Sequence, residues 1–359
     1  MLSIDRWHGM ASRFKVPEPF SGGVILSYKC TNECRHCMYA CSFRWSDDWI
    51  GLNDLERVLT QLAAKMNRHY PSGLGRIGVN YGLHFTGGEP FLNFDLLLRA
   101  VEIARELRIP ATFVETNCFW CSGDALVRDR LSQLKEAGLN GILISANPFV
   151  VEKVPWERIE RAYRISREVF GGNVIVYHEL FYSQLRSLGI KDTLSFEEYL
   201  SRLQSFNLAS LQEALSFPSL LPMGRMPYRL GFLYRKYPAS RFFECSCLEE
   251  LTRKWHVHVD NYCNYVTGYC GGISLGDARN LETLCSLGLE LDEYPVLKAL
   301  TRRLGDLYRL AVEEFGYHEL EEGYISKCHL CVDLRKHLAL KSSLFKELRP
   351  REFYEHLEC

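Results

Sequence analysis

The chain has 359 residues, 47% hydrophobic and 24% charged, with 43 basic against 44 acidic side chains and a formal net charge of −1. That balance leaves no electrostatic footprint for nucleic acid or anionic lipid, and no apolar run reaches the roughly 18–20 residues of a membrane span. Fourteen cysteines, clustered in short spacings behind an N-terminus without a signal-type apolar stretch, point to metal ligation in a reducing, cytoplasmic setting rather than to a disulfide scaffold.

The length suggests about two domains. From residue 21 the chain alternates short apolar, β-rich runs with helical patterns. Strands are predicted at 24–28, 83–86, 111–116, 142–146, 174–178 and 220–222, near-continuous apolar runs of the kind found when both faces of a parallel sheet are covered. Leu55, Val58, Leu59, Leu62 and Met66 keep helical spacing after Asn53, a predicted N-cap; Phe94, Leu97, Leu98 and Val101 do so after Asn93. Val127, Leu131 and Leu134 form a third helix stopped by Gly138, and Trp156, Ile159 and Tyr163 begin a fourth that Gly171-Gly172 closes. A helix near 196–203 is predicted in the long connection 181–217, which is expected to shape a substrate pocket. This alternation implies right-handed βαβ units. Beyond about residue 235 the rhythm stops, cysteines become dense, and helical stretches at 296–315 and 332–348 flank Cys328-His-Leu-Cys331.

The first chemical signal is Cys30-Thr-Asn-Glu-Cys34-Arg-His-Cys37. Three thiolates leave a metal centre one ligand short of the usual four, so the spacing fits either a 4Fe–4S cluster with one open iron or a zinc site completed by His36 or Cys41. The second is Thr86-Gly87-Gly88-Glu89-Pro90, about 50 residues later at a predicted strand end. Together they resemble the radical S-adenosylmethionine (radical SAM) superfamily.

That resemblance implies an α/β fold: a partial (β/α)6 TIM-like barrel over residues 21–235. A smaller cysteine-rich α+β domain of the twitch (truncated SPASM) type would follow over 236–348, with an N-terminal extension 1–20 and a C-terminal tail 349–359. It implies that Cys30, Cys34 and Cys37 hold a 4Fe–4S cluster whose open iron chelates SAM. Gly87 and Gly88 would admit the methionine moiety closely, Glu89 would contact its amino group, and His36 would lie near the adenine. Asn117 and Ser145 match weaker strand-end positions of the family; here Cys118 stands for a glycine and Asn147 for an aspartate, and capping of the following helices is the competing reading. Arg225, after the predicted last strand, reads most simply as a surface ion-pair residue.

The resemblance further implies one auxiliary 4Fe–4S cluster on Cys247, Cys270, Cys328 and Cys331. The spacing departs from the family pattern, so Cys245 against Cys247 and Cys263 against Cys270 stay open, as does structural zinc in place of the cluster. His256 and His258 alternate with Val257, so they share one face of a strand; a shared metal and a hydrogen-bonded sheet face are both open. Cys118, Cys121 and Cys263 fall outside both ligand sets and are candidates for a redox or hydrogen-donor role, against packing as inert thiols. The implied activity is reductive cleavage of SAM to a 5′-deoxyadenosyl radical that takes hydrogen from a C–H bond of a peptide or protein. The electrons would come from a flavodoxin or ferredoxin. Only 29 residues precede Cys30, too few for a leader-peptide domain, which keeps a small-molecule substrate as the rival. An iron–sulfur electron-transfer or scaffold protein is the rival from another class, and cobalamin-dependent methyl transfer is disfavoured for want of a cobalamin domain.

Overall fold

The computed structural model describes residues 13–217 and 219–358, so residues 1–12 of the expected N-terminal extension and Cys359 of the tail lie outside the described residues. Six strands run parallel in one sheet: β1 (Ser21–Ile25), β2 (Gly82–Thr86), β3 (Thr112–Thr116), β4 (Gly141–Ser145), β5 (Val174–Tyr177) and β6 (Val257–Val259). Their spatial order is β5-β4-β3-β2-β1-β6, with the short β7 (Tyr265–Val266) antiparallel on the β6 edge. Every residue of β1 and β2 is buried, as the apolar runs require when helices cover the outside and a lumen occupies the inside.

The helices of the barrel begin and end largely where the sequence signals them. α1 (Leu52–His69) buries the stripe Leu55, Val58, Leu59, Leu62 and Met66, but starts before Asn53, with Gly51 at the N-cap. Asn93 caps α2 (Phe94–Glu106) by accepting from Leu96 N at 3.2 Å. α3 (Asp124–Ala137) stops at Gly138, whose φ of +119° is left-handed. α4 (Trp156–Phe170) ends at Gly171. In the long connection, α5 (Glu179–Ser187) is followed by α6 (Phe196–Phe206), where Ser195 accepts from Glu198 N at 3.1 Å, the start signal of a capping box.

One expectation is corrected. Residues 220–222 form no strand; they lie in the turns leading to the helix Met226–Leu230. Pro222 has no N–H for a ladder, and Gly224 (φ +57°) folds the chain back so tightly that a Cβ there would stand 2.3 Å from Met38 O. The sixth parallel strand instead comes from the cysteine-rich region and joins the far side of β1. The sheet therefore runs unbroken across residue 235, and one hydrophobic core spans both regions. A small separate cluster, Ile77, Phe113 and Leu143, fills part of the barrel interior.

The stretch expected at 296–315 is two helices, α7 (Pro295–Arg302) and α8 (Leu304–Phe315), broken at the extended Arg303. α9 (Lys327–Lys341) starts five residues earlier than expected, because Ser326 caps it by accepting from His329 N at 3.1 Å. It thereby carries Cys328 and Cys331 on one face of its first turns. Among the described residues no helix is long and apolar enough to cross a membrane.

Candidate cluster and cofactor site

The two signature segments are hydrogen-bonded to each other. Beyond β1 and β2 the parallel pairing continues, with Leu26 N to Thr86 O at 3.0 Å, Gly88 N to Ser27 O at 2.8 Å and Glu89 N to Lys29 O at 3.0 Å. Cβ atoms on Gly87 and Gly88 would stand 2.3 Å from Ser27 O and 1.9 Å from Lys29 O. The close approach that needs glycine is thus first of all the chain's own, although both glycines also line the cavity at the barrel mouth. Lys29 Nζ closes the cysteine loop by donating to Phe43 O (2.8 Å) and Trp45 O (2.7 Å).

Cys30, Cys34 and Cys37 all face that cavity, which measures about 230 Å³. Burial and mutual repulsion push the Cys30 thiol well up and Cys34 to about 12. Cys37 is drawn down to about 6 by a hydrogen bond with Cys41 and by the charge of Arg225. A metal cation reverses the cost for the other two, since a coordinating thiol is deprotonated outright. Donors already point at the sulfurs: Asn32 N to Cys30 Sγ at 3.4 Å, Asn32 Nδ2 to Cys34 Sγ at 3.9 Å and Asn117 Nδ2 to Cys30 Sγ at 3.6 Å.

Arg225 is the residue the sequence reading undervalued. It is fully buried, and its guanidinium donates to the carbonyls of Cys34 (3.0 Å), Ala40 (2.8 Å), Cys41 (3.2 Å) and His356 (3.2 Å), while its N–H donates to Cys37 O at 3.0 Å. No carboxylate is among these partners; the loop's own backbone binds the cation. A basic residue directly after Leu-Pro-Met-Gly was visible, but the carbonyl cluster that receives it was not.

His36 lines the cavity and stacks on Phe149 at 4.7 Å, backed by Phe181 and Phe196 from α5 and α6. Burial and Arg225 lower it to about 4, and its Nδ1 is buried without a partner among the described residues. Asn117 and Ser145 stand at the β3 and β4 ends on the same cavity. Asn147 also lines it, but its Oδ1 caps the turn Pro148–Val151 by accepting from Val150 N at 3.1 Å. Glu89 is placed differently. Its carboxylate is buried behind the loop and accepts from Asn117 N (2.8 Å), Thr116 Oγ1 (2.9 Å) and Phe91 N (3.2 Å), so it fixes the β3 end. Burial nevertheless raises it to about 7. Contrary to expectation, no residue of the long connection 181–217 lines the cavity; Ser219, Leu220 and Leu221, just beyond it, do.

A second, smaller cavity, about 20 Å³, is lined by Cys247, Cys270, Cys328 and Cys331 together with Glu250 and Arg335. Cys245 and Cys263 do not line it. Cys331 is lowered to about 6, first by its hydrogen bond with Cys247 and then by Arg335. Arg335 Nη1 donates to Gly271 O and Tyr354 Oη, both at 2.9 Å.

Cys118, Cys121 and Cys263 line neither cavity and are buried. Cys118 and Cys263 have φ of +66° and +64°, the left-handed backbone expected of the glycines they replace. Burial pushes the Cys118 thiol well up and Cys263 to about 12. His256 and His258 meet His84 of β2 inside the barrel, a partner with no sequence signal; burial lowers His84 to about 3 and His256 to about 4.

Residues 24–178 match the family model described as Radical SAM superfamily. No curated protein matches the chain significantly. Among solved structures, the chain is similar to BtrN in complex with AdoMet and 2-DOIA, at 15% identity and a TM-score of 0.38, over 79% of this chain and 87% of that one. It is also similar to native anSMEcpe with bound AdoMet and Cp18Cys peptide (12%, 0.41, 89% and 97%) and to methylornithine synthase, PylB (16%, 0.33, 58% and 64%). At such scores these likenesses are too distant to bear on substrate. The matched residues hold the three-cysteine loop, the Gly87-Gly88 strand end and the strands that bring them together, and residues 24–178 of the chain form a radical SAM domain.

Proposed function

We propose that this enzyme cleaves SAM at the Cys30–Cys34–Cys37 site and abstracts hydrogen from a C–H bond of a peptide or protein, with an auxiliary 4Fe–4S cluster in a twitch-like domain on Cys247, Cys270, Cys328 and Cys331. The observation that carries the reading is the convergence of Cys30, Cys34, Cys37, Gly87, Gly88 and the ring of His36 on one cavity. When bound, cluster and SAM supply a 5′-deoxyadenosyl radical, and the hard chemistry is theirs. The chain's part is to hold and shield. Arg225 fixes the cysteine loop, Asn32 and Asn117 donate to its sulfurs, His36 on Phe149 offers an aromatic face, and Glu89 orders the β3 end that presents Asn117.

The four-cysteine cavity supports the peptide reading, because the resemblance ties such auxiliary sets to peptide-modifying enzymes; a small molecule in cofactor or metabolite biosynthesis is the alternative. Anaerobically reconstituted, reduced protein should release 5′-deoxyadenosine, and a Cys30→Ala/Cys34→Ala/Cys37→Ala variant that still does so refutes the site. Supplying perdeuterated peptide or small-metabolite pools and finding which one labels the 5′-deoxyadenosine separates the two substrate readings. Iron should reach about eight per chain and fall to about four in that triple variant; zinc in the second site would refute the auxiliary cluster.

A further inference from the structure

The barrel wall carries a histidine triad that neither cysteine set uses. His84 on β2 and His258 on β6 both pair with Gly23 of the strand between them. Gly23 has no side chain to hold them apart, and a Cβ there would lie 2.4 Å from His84 Nε2. The two Nε2 atoms stand 3.1 Å apart. A ring nitrogen of His256 completes a group in which all three ligand atoms lie within 4.8 Å of one another.

Two of the rings are already bonded to oxygens outside the triad: His256 Nδ1 donates to Val79 O at 2.6 Å, and His258 Nδ1 is 2.8 Å from Tyr39 Oη. Outer nitrogens anchored on oxygen with inner nitrogens converging is the arrangement that orients ligating imidazoles. Tetrahedral zinc, with Zn–N of about 2.0–2.1 Å, needs ligand nitrogens roughly 3.3 Å apart, so the His84–His258 pair needs to open only slightly. Glu115 Oε1, 3.7 Å from His84 Nε2, brings a carboxyl oxygen beside the group. No thiol belongs to it, and an all-imidazole set suits zinc-like borderline metals rather than iron–sulfur assembly. His256 and His258 also line the cavity shared with Cys30, Cys34 and Cys37, so a remaining coordination position would open toward whatever occupies it.

We propose that His84, His256 and His258 form a binding site for one divalent transition metal of the zinc type, separate from both cysteine sets. The site does not depend on the SAM reading and is tested apart from it. The full chain is reconstituted with iron and sulfide so that the thiols are engaged, then given Zn2+ and passed through a desalting column. About one zinc per chain should remain, with X-ray absorption showing nitrogen and oxygen neighbours at about 2.0–2.1 Å and no sulfur shell at about 2.3 Å. His258→Gln should lose the zinc and keep its iron, and Tyr39→Phe, which removes only the outer anchor, should weaken zinc binding by about 10–100-fold. Wild-type protein that retains no zinc, or zinc with a sulfur shell alone, overturns the proposal. The absorption spectrum of the wild type decides it even if the His258 variant does not fold. The triad would then be a chain of neutral hydrogen bonds running from the Tyr39 hydroxyl through His258 to His84.

Discussion

Replacing Arg225 by Met tests whether the cysteine loop is built around a buried cation. The guanidinium donates four hydrogen bonds to carbonyls, three of them on the loop itself. Bonds to a charged group contribute about 1.5–3 kcal/mol each, so the gross loss is on the order of 6–12 kcal/mol. Against this, removing an unpaired buried charge recovers several kcal/mol of desolvation, and Met retains much of the packing. The net expectation is a loss of about 3–5 kcal/mol, the range typical of breaking a buried network. It should be measured by urea unfolding of the metal-free, reduced protein, with iron retention followed in parallel. Because Arg225 also draws the Cys37 thiol down, the variant should bind its first cluster poorly while its second site keeps iron. Arg225→Lys should fall in between, since an ammonium has three donors and no planar fork. A Met variant within about 1 kcal/mol of wild type, with full iron content, would refute the reasoning.

Three further outcomes follow from the geometry. Gly88→Ala places a Cβ 1.9 Å from Lys29 O, so it should part the two signature segments, cost about 2–4 kcal/mol, and remove about four irons while leaving the second site filled. Glu89, raised to about 7 by burial, keeps its proton in the folded chain while the unfolded chain ionises near 4.5; its contribution is therefore full at low pH and lost as pH rises to about 7. The stability of wild type relative to Glu89→Gln should fall by about 3 kcal/mol across that window, and a difference independent of pH in urea titrations would contradict the burial argument. Cys118→Ser, Cys121→Ser and Cys263→Ser should leave 5′-deoxyadenosine release and product profile unchanged, because these thiols line neither cavity; a diverted product in any one of them would give that thiol a role after hydrogen abstraction.

The parts of the site that were legible in the sequence are those where chemistry dictates residue type and spacing: three cysteines on one loop, two glycines at a strand end, two cysteines a helical turn apart. Pairing across the sheet was not. The alternation around His256 and His258 indicated a strand, yet nothing in three residues says that it lies against β1 rather than following β5, and the apolar run at 220–222 competed for the same place. The choice of Cys247 and Cys270 over Cys245 and Cys263 is likewise a matter of where turns point. Cys263 occupies a glycine-type backbone position at φ +64°, close to Asp260 through the Cys263 N to Asp260 O bond of 2.9 Å, and does not line the cavity of Cys328 and Cys331. Arg225 illustrates the remaining limit, since a charge after an apolar run reads as surface until its carbonyl partners are brought around it by tertiary structure.

The two cysteine sites are one mechanical unit rather than two modules in series. Tyr269 lines both cavities, and Cys270, next to it, belongs to the second set. Met38 O, one residue beyond Cys37, is approached so closely by the backbone at Gly224 and Gly271 that Cβ atoms there would stand 2.3 and 3.0 Å away. Arg335 ties Gly271 O to α9, the helix that carries Cys328 and Cys331. A displacement of α9 is therefore felt at Gly271, passes to Met38 by direct contact, and reaches Cys37 along the chain. Close packing transmits such a shift because neither backbone contact leaves room to absorb it. The sheet adds a second connection, for β6 of the cysteine-rich region pairs with β1, and β1 leads straight into the first cysteine loop. Order in the second site is thus part of what positions the first, so the auxiliary cluster proposed for the four distal cysteines would have a structural role at the first site.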